Sequence, residues 1–226
     1  MDSSGPIIMK NHFTSVIFDF DYTLADSSAG EVECVNYALL AMHLPPASKY
    51  DIYKMIGVSL PETFKILTGG SNKSRTDEFI NLFIQRADDV MLDYIVLFDS
   101  VRPTIQKLSE SGITLSIVST KYRRRIEAFL KREDLTHSIK VIVGGEDVAA
   151  HKPDPTGLLM AIEKLGHGSA QTIYVGDSVV DAETAKRANV PFVAVLSGVT
   201  TKDAFRDYAP FAVIGNLQML PPLLLK

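Results

Sequence analysis

The sequence predicts a parallel α/β protein, a buried sheet covered by helices on both faces and interrupted once by an all-helical insertion. Three observations carry this. Short apolar runs rich in β-branched residues recur along the chain and alternate with helical patterns. The alternation breaks between about Ser27 and Leu97, where only helical periodicity is present. The unusual polar residues stand where the runs end, and a parallel sheet gathers its working groups at the carboxyl ends of its strands.

Thr14 to Phe18 (TSVIF) reads as the first strand, a short apolar run flanked by polar residues. It ends in Asp19-Phe20-Asp21-Tyr22-Thr23. The insertion follows. Val32, Val35, Leu39 and Met42 share one helical face, as do Phe79, Phe83 and Val90. Its loops contain Pro45-Pro46 and Gly69-Gly70-Ser71-Asn72, and Asp26 to Gly30 and Asp99-Ser100 form its two connections. The expected division is a core of residues 1–26 and 98–226 and a helical unit of residues 27–97. Further strands are expected at Ile113 to Val118, Val141 to Val143, Thr172 to Val175 and Pro191 to Leu196. Helices are expected at Tyr122 to Arg132, Pro155 to Leu165 and Val179 to Ala188.

Composition narrows the class. A length of 226 residues suits one large domain or a domain carrying a smaller insertion. Hydrophobic residues make up 46%, enough for a core, and a charged fraction of 22% is ordinary for a globular chain. The net charge of -4 speaks against a nucleic-acid-binding surface, which would be basic. It leaves a phosphorylated substrate open, because a metal ion can reverse the sign of one pocket. A single cysteine, Cys34, forms no internal disulfide, so nothing requires an oxidising compartment; it reads as a packed residue on a helix. The first ten residues lack the basic head and apolar run of a signal peptide, and no stretch nears the roughly 18 apolar residues of a membrane span. The expectation is a cytoplasmic protein, monomer or homodimer, with no nucleic-acid or membrane partner.

Four features carry chemistry. Asp19 and Asp21 can converge at a strand end, at an electrostatic cost that a cation would relieve; an acidic turn is the plainer reading. Gly176-Asp177-Ser178-Val179-Val180-Asp181 opens a helix, with two acids on one side of it. Capping and the helix dipole explain such acids equally well. Lys152, ahead of Pro153, sits on a stiff loop and either neutralises a phosphate or is simply solvated. Ser119-Thr120 ends a strand, where a hydroxyl binds a phosphate oxygen or merely terminates the run.

The four occur in order at successive strand ends, and together they resemble the haloacid dehalogenase superfamily. The matching segments are FDFDYTLADS, SIVSTK, HKPDP and GDSVVDAETAKRA. The stretches VNYALLAMHLPP and IGVSLPETF look like the phosphoglycolate-phosphatase-like branch. The resemblance implies a Rossmann-like, doubly wound core with an inserted helical cap. It implies a Mg²⁺-dependent phosphatase acting on a small phosphate ester such as phosphoglycolate, a sugar phosphate, a nucleotide or pyrophosphate. Asp19 would be the nucleophile, forming an aspartyl-phosphate, and Asp21 the acid/base. Ser119, Thr120 and Lys152 would bind the phosphoryl group, with Ser119 and Lys152 also catalytic. Asp19, Asp177 and the Asp21 carbonyl would hold Mg²⁺, with Asp181 supporting it. These roles fit phosphoryl transfer, which asks mainly for positioning and charge neutralisation.

Asp21 favours a phosphatase over a dehalogenase, which lacks this acid. Two alternatives share parts of the set. A phosphosugar mutase would carry a histidine soon after the nucleophile loop, and Ser27 to Glu33 has none. A phospho-accepting receiver domain is much shorter and accepts phosphate mid-chain. Tyr22 departs from the family, which usually has glycine there. The run Lys121, Arg123, Arg124, Arg125 reads as the solvated start of a helix, His151 as structural or exposed, and Gly57 as a cap residue that faces the site or relieves packing.

Overall fold

The computed structural model describes residues 13–225. In chain order, β1 (Ser15–Phe18) leads into a short β2 (Ala25–Asp26). Four helices follow, α1 (Ser28–Ala41), α2 (Lys49–Tyr53), α3 (Leu60–Leu67) and α4 (Thr76–Tyr94), and then a short β3 (Val96–Leu97). The alternating part runs α5 (Val101–Glu110), β4 (Thr114–Val118), α6 (Arg123–Arg132), β5 (Val141–Val143), α7 (Thr156–Leu165), β6 (Thr172–Gly176), α8 (Val179–Ala188), β7 (Phe192–Val195), β8 (Ala212–Ile214) and α9 (Leu220–Leu224).

Six strands form one sheet in the order β5-β4-β1-β6-β7-β8, every pairing parallel. In β1 all four residues are buried, as a central strand covered on both faces requires. Phe18 is in register with Ile117 on one side and Val175 on the other. The chain builds outward from β1 first towards β5 and then towards β8, so the strand order reverses beside β1. A doubly wound sheet leaves its ligand crevice at such a reversal.

Alternate residues of the strands feed two apolar layers. Ile17 and Tyr174 pack with Leu158 of α7, Ala182 and Ala185 of α8. Val16, Phe18, Leu115 and Ile117 face the other way and pack with Ile105, Leu108 and Phe129. This second layer continues through Phe20 and Leu24 into the helical unit. There Phe79, Phe83, Ala87 and Met91, four residues apart on α4, pack on Cys34, Val35, Ala38 and Leu39 of α1. Gly30 allows the approach, since a Cβ there would stand 2.5 Å from the Met91 sulfur.

The two connections of the helical unit lie side by side. β2 and β3 pair antiparallel, Ala25 with Leu97 and Asp26 with Val96. Two-residue strands are too short for any periodicity to reveal, so the sequence reading misses this ribbon. It also leaves α5 and β8 unassigned. The amphipathic α5 buries Val101, Ile105 and Leu108 although Pro103 sits in its first turn, a position that tolerates proline. The strands and helices that the sequence does assign in the core are all present, with boundaries shifted by a residue or two. Among the described residues no helix is long and apolar enough to cross a membrane.

Candidate active site

Asp19 follows β1 directly, its amide bonded to the carbonyl of Val175 at 2.8 Å, so the sheet fixes its backbone. The Lys152 ammonium donates to Asp19 Oδ1 at 2.7 Å and to Asp181 Oδ1 at 2.6 Å. Lys152 reaches them from the loop before α7, and the Lys152–Pro153 peptide is cis. The Tyr174 hydroxyl, on β6, lies 2.9 Å from Asp181 Oδ1 and 3.2 Å from the carbonyl of Val118.

Asp177 and Asp181 flank the start of α8. Ser178 caps this helix. Its hydroxyl donates to Asp181 Oδ2 at 2.6 Å and accepts from the Asp181 amide at 3.2 Å. The capping that competed with function in the sequence is therefore real, and it holds Asp181 against Lys152. The Thr23 hydroxyl donates to Asp177 Oδ1 at 3.4 Å. Two glycines let backbone close on these acids: a Cβ on Gly176 would stand 2.5 Å from the Asp181 carboxyl carbon, and one on Gly198 would stand 2.0 Å from Asp177 Oδ2.

Oxygens of Asp19, Asp177 and Asp181 lie within 4.8 Å of one another, and all three residues are buried. Burial, opposed by Lys152 and reinforced by Asp181, pushes Asp19 up to about 7. Burial and the neighbouring Asp181 and Asp19 push Asp177 well above the usual carboxylate range. Against its own burial, Asp181 and Asp19 hold Lys152 well above an ordinary lysine. Three carboxylates against one ammonium leave excess negative charge out of reach of water. Hard oxygen donors with that excess fit a small divalent cation such as Mg²⁺.

Asp21 lies in the turn after Asp19 and is also buried. The Ser27 hydroxyl donates to its Oδ1 at 2.5 Å, and the Lys121 ammonium lies 2.8 Å from the same oxygen. Lys121 also donates to Glu31 of α1 at 3.4 Å. This corrects the sequence reading of Lys121 as part of a solvated basic run, because its side chain is only 3% exposed. The one signal available was its position two residues beyond Ser119, on the loop before α6. Arg124 and Arg125 do not face the Asp19 cluster; both pair with Asp88 of α4 at 2.7 Å.

Ser119 follows β4 directly, beside this group. Its amide donates to the Val143 carbonyl at 3.0 Å and its hydroxyl accepts from the Lys121 amide at 3.3 Å. The Thr120 hydroxyl donates to the carbonyl of Gly57 in the helical unit at 3.4 Å. The Nδ1 of His151 is buried without a hydrogen-bond partner. Tyr22 takes the left-handed conformation, φ 58°, that glycine would accept more readily, at a cost of about 1 kcal/mol. Its amide donates to the Ala25 carbonyl at 2.8 Å and its carbonyl accepts from Ser197 at 2.5 Å, so the turn is kept despite the side chain. Burial, partly offset by a hydrogen bond with Ser28, pushes the Tyr22 hydroxyl up to about 12.

Between this group and the helical unit lies a cavity of about 200 Å³. Asp21, Lys121, Thr120 and His151 line it from one side, Glu31, Gly57 and Thr63 from the other.

Fold and site together define a doubly wound α/β protein with a buried acidic centre at the end of its first strand. The sequence model of the haloacid dehalogenase-like hydrolases matches residues 16–195. A phosphoglycolate phosphatase of Salmonella typhimurium is 30% identical, over 92% of this chain and 91% of the relative. A haloacid dehalogenase-like hydrolase of Bacteroides fragilis superposes with a TM-score of 0.89 at 41% identity, covering 92% of this chain and 99% of that one. A family member from Streptococcus pneumoniae, 20% identical with a TM-score of 0.84, shares the fold over 94% of this chain and 98% of its own. The chain belongs to the haloacid dehalogenase-like hydrolases, in the branch that resembles the phosphoglycolate phosphatases.

Proposed function

We propose that this protein is a Mg²⁺-dependent phosphatase that hydrolyses a small phosphate ester through an aspartyl-phosphate on Asp19. The observation that carries this reading is the Asp19–Lys152–Asp181 pairing at the carboxyl end of the sheet, with Asp21 two residues from Asp19. The relatives named phosphoglycolate phosphatase support the reaction class.

In the first step an Asp19 oxygen attacks phosphorus, the bond to the ester oxygen breaks, and Asp21 gives its proton to the departing alkoxide. In the second, water attacks phosphorus, Asp21 takes its proton, and Asp19 leaves as a carboxylate with inorganic phosphate. A carboxylate nucleophile divides one hard displacement into two easier ones. Lys152 and the Ser119 hydroxyl hold phosphoryl oxygens. Asp19, Asp177 and the carbonyl of Asp21 would bind Mg²⁺, with Asp181 behind them; when bound, the ion neutralises the phosphate and the clustered acids. Lys121 and Ser27 hold Asp21 in place. Residues 27–97 act as a cap on the core, of which 13–26 and 98–225 are described while 1–12 and 226 lie outside the described residues, closing the cavity to water.

A panel of phosphate esters and pyrophosphate with Mg²⁺ tests this. Turnover of at least one compound, lost in Asp19→Asn, is the expected result. No turnover of any, or an Asp19→Asn variant as active as the wild type, contradicts it.

A further inference from the structure

The cavity beside Asp21 is where a leaving group would lie, and its walls speak about that group's charge. On the helical side Val35, Ile52, Ile56, Leu60, Ile80 and Phe83 face it, a mainly hydrocarbon surface. Two cations also line it, Lys121 and Arg125, and neither is spare. Lys121 is bound by two carboxylates, Asp21 at 2.8 Å and Glu31 at 3.4 Å. Arg125 pairs with Asp88 at 2.7 Å and donates to the Ile84 carbonyl at 3.1 Å. Glu146, a third acid on the wall, accepts from the Arg123 amide at 2.8 Å. Burial lowers the affinity of His151 for a proton, so it adds no counter-charge. A carboxylate or second phosphate on the leaving group would lose its water here and find acids rather than a free cation. An uncharged alcohol would lose little.

Resting on the phosphatase reading, we propose that the cavity selects esters whose leaving group is a short uncharged alcohol, and that Glu31 enforces the choice by holding Lys121 away from anionic leaving groups. Glu31 is thus a specificity residue. It projects from the first turn of α1, across the cavity from the carboxyl end of the sheet, and its carboxylate accepts from Lys121.

The test compares kcat/KM for propyl phosphate and 2-phosphoglycolate with Mg²⁺, in the wild type and in Glu31→Gln, with p-nitrophenyl phosphate as a general phosphatase reporter. The wild type should favour propyl phosphate about tenfold or more. Glu31→Gln removes one of the two carboxylates that neutralise Lys121 and should move the ratio towards phosphoglycolate about tenfold, mainly through a lower KM for that ester. A purely structural role for Glu31 would depress both esters equally and leave the ratio unmoved, which would overturn its assignment. A wild-type preference for phosphoglycolate overturns the proposal while the phosphatase reading stands, and that ratio decides even where the variant does not fold. Failure to release phosphate from any of the three esters removes the phosphatase reading and the proposal with it.

Discussion

The ammonium of Lys121 lies 2.8 Å from Asp21 Oδ1, although the two residues are a hundred positions apart in the chain. The pair joins the turn after β1 to the loop after β4, and Glu31 extends it to α1. Removing one member of a buried ion pair leaves uncompensated charge. Lys121→Met should therefore lower the unfolding free energy by about 3 kcal/mol in urea titration. A solvated lysine would change it by less than about 0.5 kcal/mol, and that outcome would return Lys121 to the surface run that the sequence suggests.

The loop around Gly198 approaches Asp177 so closely that one methyl group should disturb it. Gly198→Ala places a carbon 2.0 Å from Asp177 Oδ2, and the carboxylate must move. The expected result is a loss of Mg²⁺ affinity of about tenfold or more, read by magnesium-dependent thermal shift or calorimetry. Unchanged affinity would separate Asp177 from the metal.

Arg124 and Arg125 tie α6 to α4 through Asp88. Against the burial penalty, their hydrogen bonds hold the Asp88 carboxyl below the usual carboxylate range. A lowered folded value means that the contribution is present above the unfolded pKa, about 3.9, and is lost as pH falls through the folded one. Asp88→Asn should cost at most about 1 kcal/mol at neutral pH, since the side chains are partly exposed and screened. It should cost nothing in acid, where the wild-type group is protonated. Thermal unfolding of both proteins across pH tests the sign.

Cys34 is buried on α1, and burial, reinforced by Glu31, pushes its thiol up to about 12. Iodoacetamide should leave the folded protein unmodified at mildly alkaline pH and label it fully in denaturant. Rapid labelling of the folded chain would contradict the packing of α1 on α4.

Much of this architecture was legible in the sequence. Strand ends are marked by a switch from β-branched residues to Asp19, Ser119 and Asp177, and a buried parallel strand leaves no other place for such groups. Lys152 was legible only through its neighbours, since a lysine before proline is ambiguous until a carboxylate is known to face it. What stayed hidden depends on tertiary approach. Lys121 and Arg125 read alike in a basic run, yet one meets Asp21 and the other Asp88. Thr120 beside Ser119 suggested a second phosphate ligand, but its hydroxyl turns to Gly57. Tyr22 stands where the family usually has glycine, and the backbone keeps the left-handed turn regardless, its strain offset by the hydrogen bonds of the loop.

The proposed mechanism turns on a covalent phosphoryl-enzyme on Asp19 whose breakdown needs Asp21. Asp21→Asn, mixed with Mg²⁺ and p-nitrophenyl phosphate, whose leaving group departs without a proton, quenched in acid and analysed by peptide mass spectrometry, addresses it. The expected result is one phosphoryl group on the peptide containing Asp19, absent from the Asp19→Asn, Asp21→Asn double variant. Phosphorylation of another residue, or steady phosphate release with Asp19 replaced, would contradict it.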